Sequence, residues 1–173
     1  MAFLRFVKYI PQTTCLYVFW VSFVMGGCGT EGGIQKVYTF PKSEWHIANG
    51  LLFECQVSDT KPSYDIIISV DYTATYPYQN LYIKYDLEGA ETSESGVVAL
   101  QLFDRKRGWP LGSGWGACKR YQLCLLSGYN FKKTAAYTVQ LVHAMRQDTL
   151  AGIVRIVLSI KPHAKTNKRS SLV

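Results

Sequence analysis

His143-Ala144-Met145-Arg146 places an imidazole and a guanidinium three positions apart, a pair that a hydrolase or a ligand clamp could use. Catalysis asks for more than that pair: a nucleophile with a histidine and an acid, or two carboxylates. The three histidines, His46, His143 and His163, are dispersed, and no G-x-S-x-G or H-E-x-x-H motif is present. The plainer reading is that His143 and Arg146 hold a loop, with backbone carbonyls or Asp148 as partners. We expect no enzyme, no catalytic residue and no small-molecule substrate. The cysteines lack the paired C-x-x-C spacing of a zinc site, so no metal or cofactor is expected either.

Two further clusters suit recognition. In Tyr76-Pro77-Tyr78-Gln79-Asn80-Leu81 the proline fixes φ and biases Tyr76 toward extended backbone, which sets two rings at the mouth of a strand. The rings either grip a ligand or close an edge of the core with their hydroxyls in water. The segment Asp104 to Gly116 (DRKRGWPLGSGWG) is a long loop with four glycines, Trp109, Trp115 and three consecutive basic residues. It lacks the Gly-Lys-Ser/Thr of a phosphate loop, and its glycines either permit positive φ or let Trp109 and Trp115 fold back on the sandwich. Long loops with large aromatics are also recognition surfaces. Tyr76, Tyr78, Asn80, Trp109, Trp115, His143 and Arg146 are therefore the candidate partner-binding residues.

The amino terminus has its own chemistry. Arg5 and Lys8 precede an apolar run from Cys15 to Met25, with no acidic residue before Glu31, the layout of an export signal. Eleven residues rise only about 16 Å as a helix, roughly half a bilayer core, so cleavage is expected rather than a span. Met25-Gly26-Gly27-Cys28 resembles a lipobox, in which Cys28 receives diacylglycerol and palmitate-type chains. Each buried methylene contributes about 0.8 kcal/mol, so two or more chains hold a protein on its membrane. We read residues 1–27 as signal peptide, 28–34 as lipidated tether, 35–161 as the domain and 162–173 as a basic tail. Loss of Arg5 and Lys8 leaves seventeen basic against twelve acidic side chains, a net charge of +5 rather than +7. The excess is partly in the tail, at Lys161, Lys165, Lys168 and Arg169, which reads as a solvated end rather than an arm for nucleic acid. Of the remaining cysteines, Cys55, Cys118 and Cys124, each is expected to act as a small buried hydrophobe.

The elements that must position these clusters read as strands. Apolar runs are short, rich in Val, Ile, Tyr and Phe, and broken by turn residues. The spacing predicts strands over 35–40, 51–57, 64–72, 80–87, 97–103, 120–126, 136–143 and 153–160. Leu81, Ile83, Tyr85 and Leu87 share one face, as do Ile66, Ile68 and Val70, and Tyr137, Val139 and Leu141. Asp65, Ser69 and Asp71 fall on the opposite, wet side. Asn49-Gly50, Glu88-Gly89, Ser95-Gly96 and Ser127-Gly128 supply turns. Eight strands without crossover helices predict an all-β fold, an antiparallel β-sandwich of jelly-roll type.

Taken as a set, Cys28 through Tyr38, Trp45-His46, YPYQNL, the loop ending LGSGWG, and HAMR with L-x-G-I at Leu150 to Ile153 resemble the gliding motility-associated lipoprotein GldH family of the Bacteroidetes. Met25 and Ala117-Cys118 depart from that pattern. The resemblance implies an envelope lipoprotein, on the outer membrane rather than the inner. It further implies a non-enzymatic accessory to the gliding and associated secretion machinery, acting through envelope proteins. Members also occur in non-gliding species. The competing reading is a lipid-anchored glycan-binding module, since flat rings such as Tyr76, Tyr78, Trp109 and Trp115 suit sugar faces.

Overall fold

Alternating apolar and polar residues demand a surface with one buried side, and the chain satisfies this with strands throughout. The computed structural model describes residues 33–114 and 116–164; Cys28 with the segment before it, Trp115 and the basic tail from Lys165 lie outside the described residues. The strands are β1 (Ile34–Thr39), β2 (Glu44–His46), β3 (Leu51–Gln56), β4 (Tyr64–Thr73), β5 (Asn80–Gly89), β6 (Thr92–Gln101), β7 (Cys118–Tyr129), β8 (Ala136–His143), β9 (Thr149–Ala151) and β10 (Ile153–Pro162). The described residues contain no helix, and the fold is all-β.

Two four-stranded antiparallel sheets, ordered β1-β10-β4-β7 and β3-β8-β5-β6, stand beside a short ribbon, β2-β9. Among the eight long strands the first pairs with the last, β1 with β10, and the second with the seventh, β3 with β8. The third pairs with the sixth, β4 with β7, and the nest closes at the β5-β6 hairpin. A nested antiparallel ribbon wound on itself in this way is a jelly roll. The β2-β9 pair continues the same ribbon where it passes from one sheet to the other. Between the sheets lies one core, with Leu81, Ile83 and Leu87 on one side and Ile66, Ile68, Ile156 and Leu158 on the other.

Four details differ from the sequence expectations. Ser95-Gly96 is no turn: β6 starts at Thr92, and the Tyr85 ring occupies the space a side chain at position 96 would need. The reversal falls instead at Ala90-Glu91, both with positive φ. Ser127-Gly128 likewise lies inside β7. Ser69 and Asp71 are buried rather than wet, because β4 is a central strand and Arg120 and Arg155 close over the Asp71 carboxylate. Cys55 is buried as expected, but Cys118 is half-buried and Cys124 is exposed, since it sits on the edge strand β7.

Candidate functional site

Antiparallel winding sends alternate connections to opposite ends of the sandwich. The β1-β3, β4-β5, β6-β7 and β8-β10 connections therefore share one end, and these carry Trp45-His46, YPYQNL, the glycine loop and HAMR. Backbone hydrogen bonds tie them together. Gly152 donates to Ser43 at 2.8 Å, Thr73 donates to Gly152 at 2.9 Å, Leu102 donates to Gln79 at 2.8 Å and Ala144 donates to Tyr82 at 2.8 Å. The chain enters β1 at Ile34, which pairs with Ile160 at the opposite end.

Tyr76 is buried, with its hydroxyl donating to the Asn80 carbonyl at 2.9 Å; burial and the neighbouring Tyr78 push that hydroxyl's pKa well up. Its ring therefore closes the core, one of the two readings of it, and offers no surface to a ligand; the correction is that its hydroxyl meets a backbone carbonyl rather than water. The backbone of this segment is held close to Gly152, where a Cβ would lie 2.4 Å from the Tyr76 nitrogen. Tyr78 packs edge-on to Tyr76, ring centroids 5.7 Å apart, and stays half-buried. Tyr78, Tyr82, Ala144, Met145, Arg146 and Gln147 line a groove of about 370 Å³. YPYQNL and HAMR thus meet across one depression, with Asn80 at its base strand contributing a backbone carbonyl to the Tyr76 hydroxyl.

His143 is 1% exposed, packed edge-on to Trp45 with ring centroids 5.3 Å apart. Neither ring nitrogen closes a hydrogen bond among the described residues, and the carboxylate of Asp148 does not hold it. Burial lowers its pKa, partly offset by the nearby backbone of Asp148 and Trp45. The imidazole is a neutral wall of the core, because its strand position faces inward with Leu141 and Val139. Arg146, three residues on, has left the strand and is exposed.

The glycine loop divides in two. Its first half is a tight excursion: the Asp104 carboxylate accepts from Lys106 and Arg107 backbone at 3.0 and 2.7 Å, and the Asp104 N–H donates to Trp109 at 2.8 Å. This leaves Trp109 64% exposed, with Arg107 over its ring at 5.3 Å. The Tyr72 hydroxyl sits between the Leu102 and Leu111 carbonyls, and burial raises its pKa to about 12. The second half folds back onto β7, where Ser113 and Arg120 exchange backbone hydrogen bonds at 3.0 and 2.7 Å. Of the two roles expected of the glycines, positive φ is seen: at Gly112, with φ +97°, a Cβ would lie 2.2 Å from the Arg120 carbonyl, whereas Trp109 stays exposed instead of folding back on the sandwich.

Sequence reasoning did not single out Tyr82, Met145 or Gln147 as groove residues. A large aromatic on the otherwise polar face of β5, at Tyr82, was the available signal. Pairing of its carbonyl with Ala144 could not be read without the register.

Fold and site together define an all-β jelly-roll domain that displays its chemistry-bearing loops at one end. The model of the GldH lipoprotein family matches residues 34–160, and the chain belongs to that family. Association with the cell envelope through a lipid anchor goes with this membership. No curated protein sequence matches the chain. Solved structures with similarity include the infectious bursal disease virus VP2 subviral particle, at 13% identity and TM-score 0.38, covering 78% of this chain. The chain spans only 33% of that VP2 chain. The tobacco streak virus coat protein dimer is also similar, at 8% identity and TM-score 0.26, with 82% of this chain and 93% of that chain covered.

Proposed function

We propose that this chain is a non-catalytic accessory lipoprotein of the envelope, on the outer membrane, that binds a protein partner of the gliding and associated secretion machinery. The observation that supports this reading is the gathering of all four motif-bearing connections at the end opposite Ile34. Cys28 lies six positions before Ile34, and six residues reach at most roughly 20 Å. Ten-residue strands run about 33 Å. A lipid on Cys28 therefore holds the Ile34 end near the membrane and leaves the Tyr78–Arg146 groove free to meet a partner.

The exposed Trp109 favours the second reading, a glycan-binding module, although that reading loses Tyr76 to the core. Crosslinking followed by capture of the tagged, lipidated protein from its own membranes separates the two. Wild type is compared with a Tyr82→Ala, Arg146→Ala variant and with Trp109→Ala, each checked for an unchanged unfolding midpoint. Envelope proteins captured by wild type and lost in the groove variant support the proposal. Equal capture by both sinks it, and glycan recovered through Trp109 without a protein partner moves the assignment to the module.

A further inference from the structure

Away from the groove, on the outer face of the β1-β10-β4-β7 sheet, three strands place Arg155, Asp71 and Arg120 side by side in register. The Asp71 side chain is 3% exposed, while those of Arg120 and Arg155 are 41% and 40% exposed. Arg120 binds it with two nitrogens, Nε to Oδ1 at 2.6 Å and Nη2 to Oδ2 at 2.9 Å. Arg155 Nε approaches Oδ2 at 2.6 Å from the other side, with its Nη2 against the same oxygen. One carboxylate neutralises one guanidinium, so the second is in excess. Each guanidinium uses one edge on Asp71, and the other edge has no protein acceptor among the described residues.

Both arginines line an open concavity of about 230 Å³ together with Ser113, Gly114, Cys118 and Lys119, whose ammonium donates to the Gly114 carbonyl at 2.8 Å. Among the described residues Asp71 is the one acid lining it, so its local charge is +2: Lys119, Arg120 and Arg155 against Asp71. Only the Asp71 carboxylate is buried; both guanidiniums keep about two-fifths of their surface in water, so the surplus positive charge is open to an anion from solvent. Guanidinium edges directed at a shared space suit a phosphate, which offers several acceptor oxygens at once.

We propose that Arg120 and Arg155, held in position by Asp71, form with Lys119 a binding site for a phosphate or phosphomonoester group. Asp71 is the positioning residue: it orients both guanidinium planes and keeps them from turning into solvent. The site is independent of the groove proposed to bind a protein.

The test titrates inorganic phosphate into the full-length lipidated protein in detergent at constant ionic strength, read by calorimetry and by thermal unfolding. Saturable binding is expected, weakened by about tenfold in Arg155→Gln. Lys119→Gln, outside the Asp71 network, weakens binding while leaving the phosphate-free unfolding midpoint unchanged. Asp71→Asn separates the site from a structural salt bridge, because phosphate restores the lost midpoint of this variant and chloride does not. Phosphate binding that is absent, or equal in wild type, Lys119→Gln and Arg155→Gln, overturns the proposal. A second arm repeats the phosphate titration in detergent micelles doped with phosphatidic acid, because the acyl chains alone hold the protein on any vesicle. Micellar phosphatidic acid that competes with phosphate in wild type identifies a lipid headgroup as the source, and phosphate binding that it leaves unchanged identifies a soluble one.

Discussion

His143 and Asp71 set how stability should respond to acid. The folded pKa of His143 lies below its ordinary value because burial penalises the imidazolium. The unfolded chain therefore takes up this proton first, and stability falls as pH drops below about 6.5. For Asp71, burial works to raise the pKa, but hydrogen bonds and charge from Arg120 and Arg155 overcome it and hold the carboxyl low. Its contribution is present above about 4 and lost as pH falls further toward the folded pKa. Replacing His143 with Phe keeps an aromatic ring against Trp45 and removes the titrating imidazole. Urea midpoints at pH 7.5 and 5.5 should differ less in His143→Phe than in wild type. An equal difference in both would show that another group titrates there. Asp71→Asn should remove part of the loss below pH 4, leaving the step near pH 6.5 intact.

At the scale of elements, two local geometries carry testable strain. Gly152 has φ +83°, and its backbone lies against the Thr75-Tyr76 segment with no room for a Cβ. Gly152→Ala forces a left-handed backbone on a residue that bears a Cβ and pushes Tyr76 outward, at a cost of about 2–4 kcal/mol. Chemical unfolding measures the loss, and a change of less than about 0.5 kcal/mol would refute the close packing. The β5-β6 turn is the reverse case. Ala90 and Glu91 have φ of 30° and 69°, the signs of a two-residue turn that favours Asn-Gly. Ala90→Asn with Glu91→Gly should raise stability by about 1 kcal/mol. The Glu91–Lys133 pair lost in the exchange is exposed on both sides and contributes little.

For the whole molecule, the nested pairing decides the folding rate as well as the display of the loops. Ile34 must find Ile160, and Leu51 must find Leu141, before the outer ribbon forms. Loop closure over such separations precedes the contacts that reward it, so refolding should take milliseconds to seconds. Stopped-flow fluorescence, with Trp45 fully buried in the core as a reporter, checks this. Completion within about 100 μs would contradict a topology dominated by non-local pairs.

By itself the sequence determined the eight longer strands and most of their buried faces, because period-two alternation at Leu81 to Leu87 and Tyr137 to Leu141 is a local property, whereas the three-residue β2 and β9 carry too short a pattern to be read. Its motifs also determined the family, through YPYQNL, LGSGWG and HAMR in order. Turn positions were legible only in part: Gly96 reads as a turn residue, yet it is a gap filled by Tyr85 across the strand pair. Only the tertiary structure decided which side chains reach a surface. Tyr76 and Tyr78 are two residues apart, yet the first is buried in the core while the second is half-buried and lines the groove. Asp71, Arg120 and Arg155 are scattered over 84 positions of sequence and meet through strand register alone. Side-chain types are written in the chain, but their convergence depends on pairings between distant strands, which no local pattern encodes.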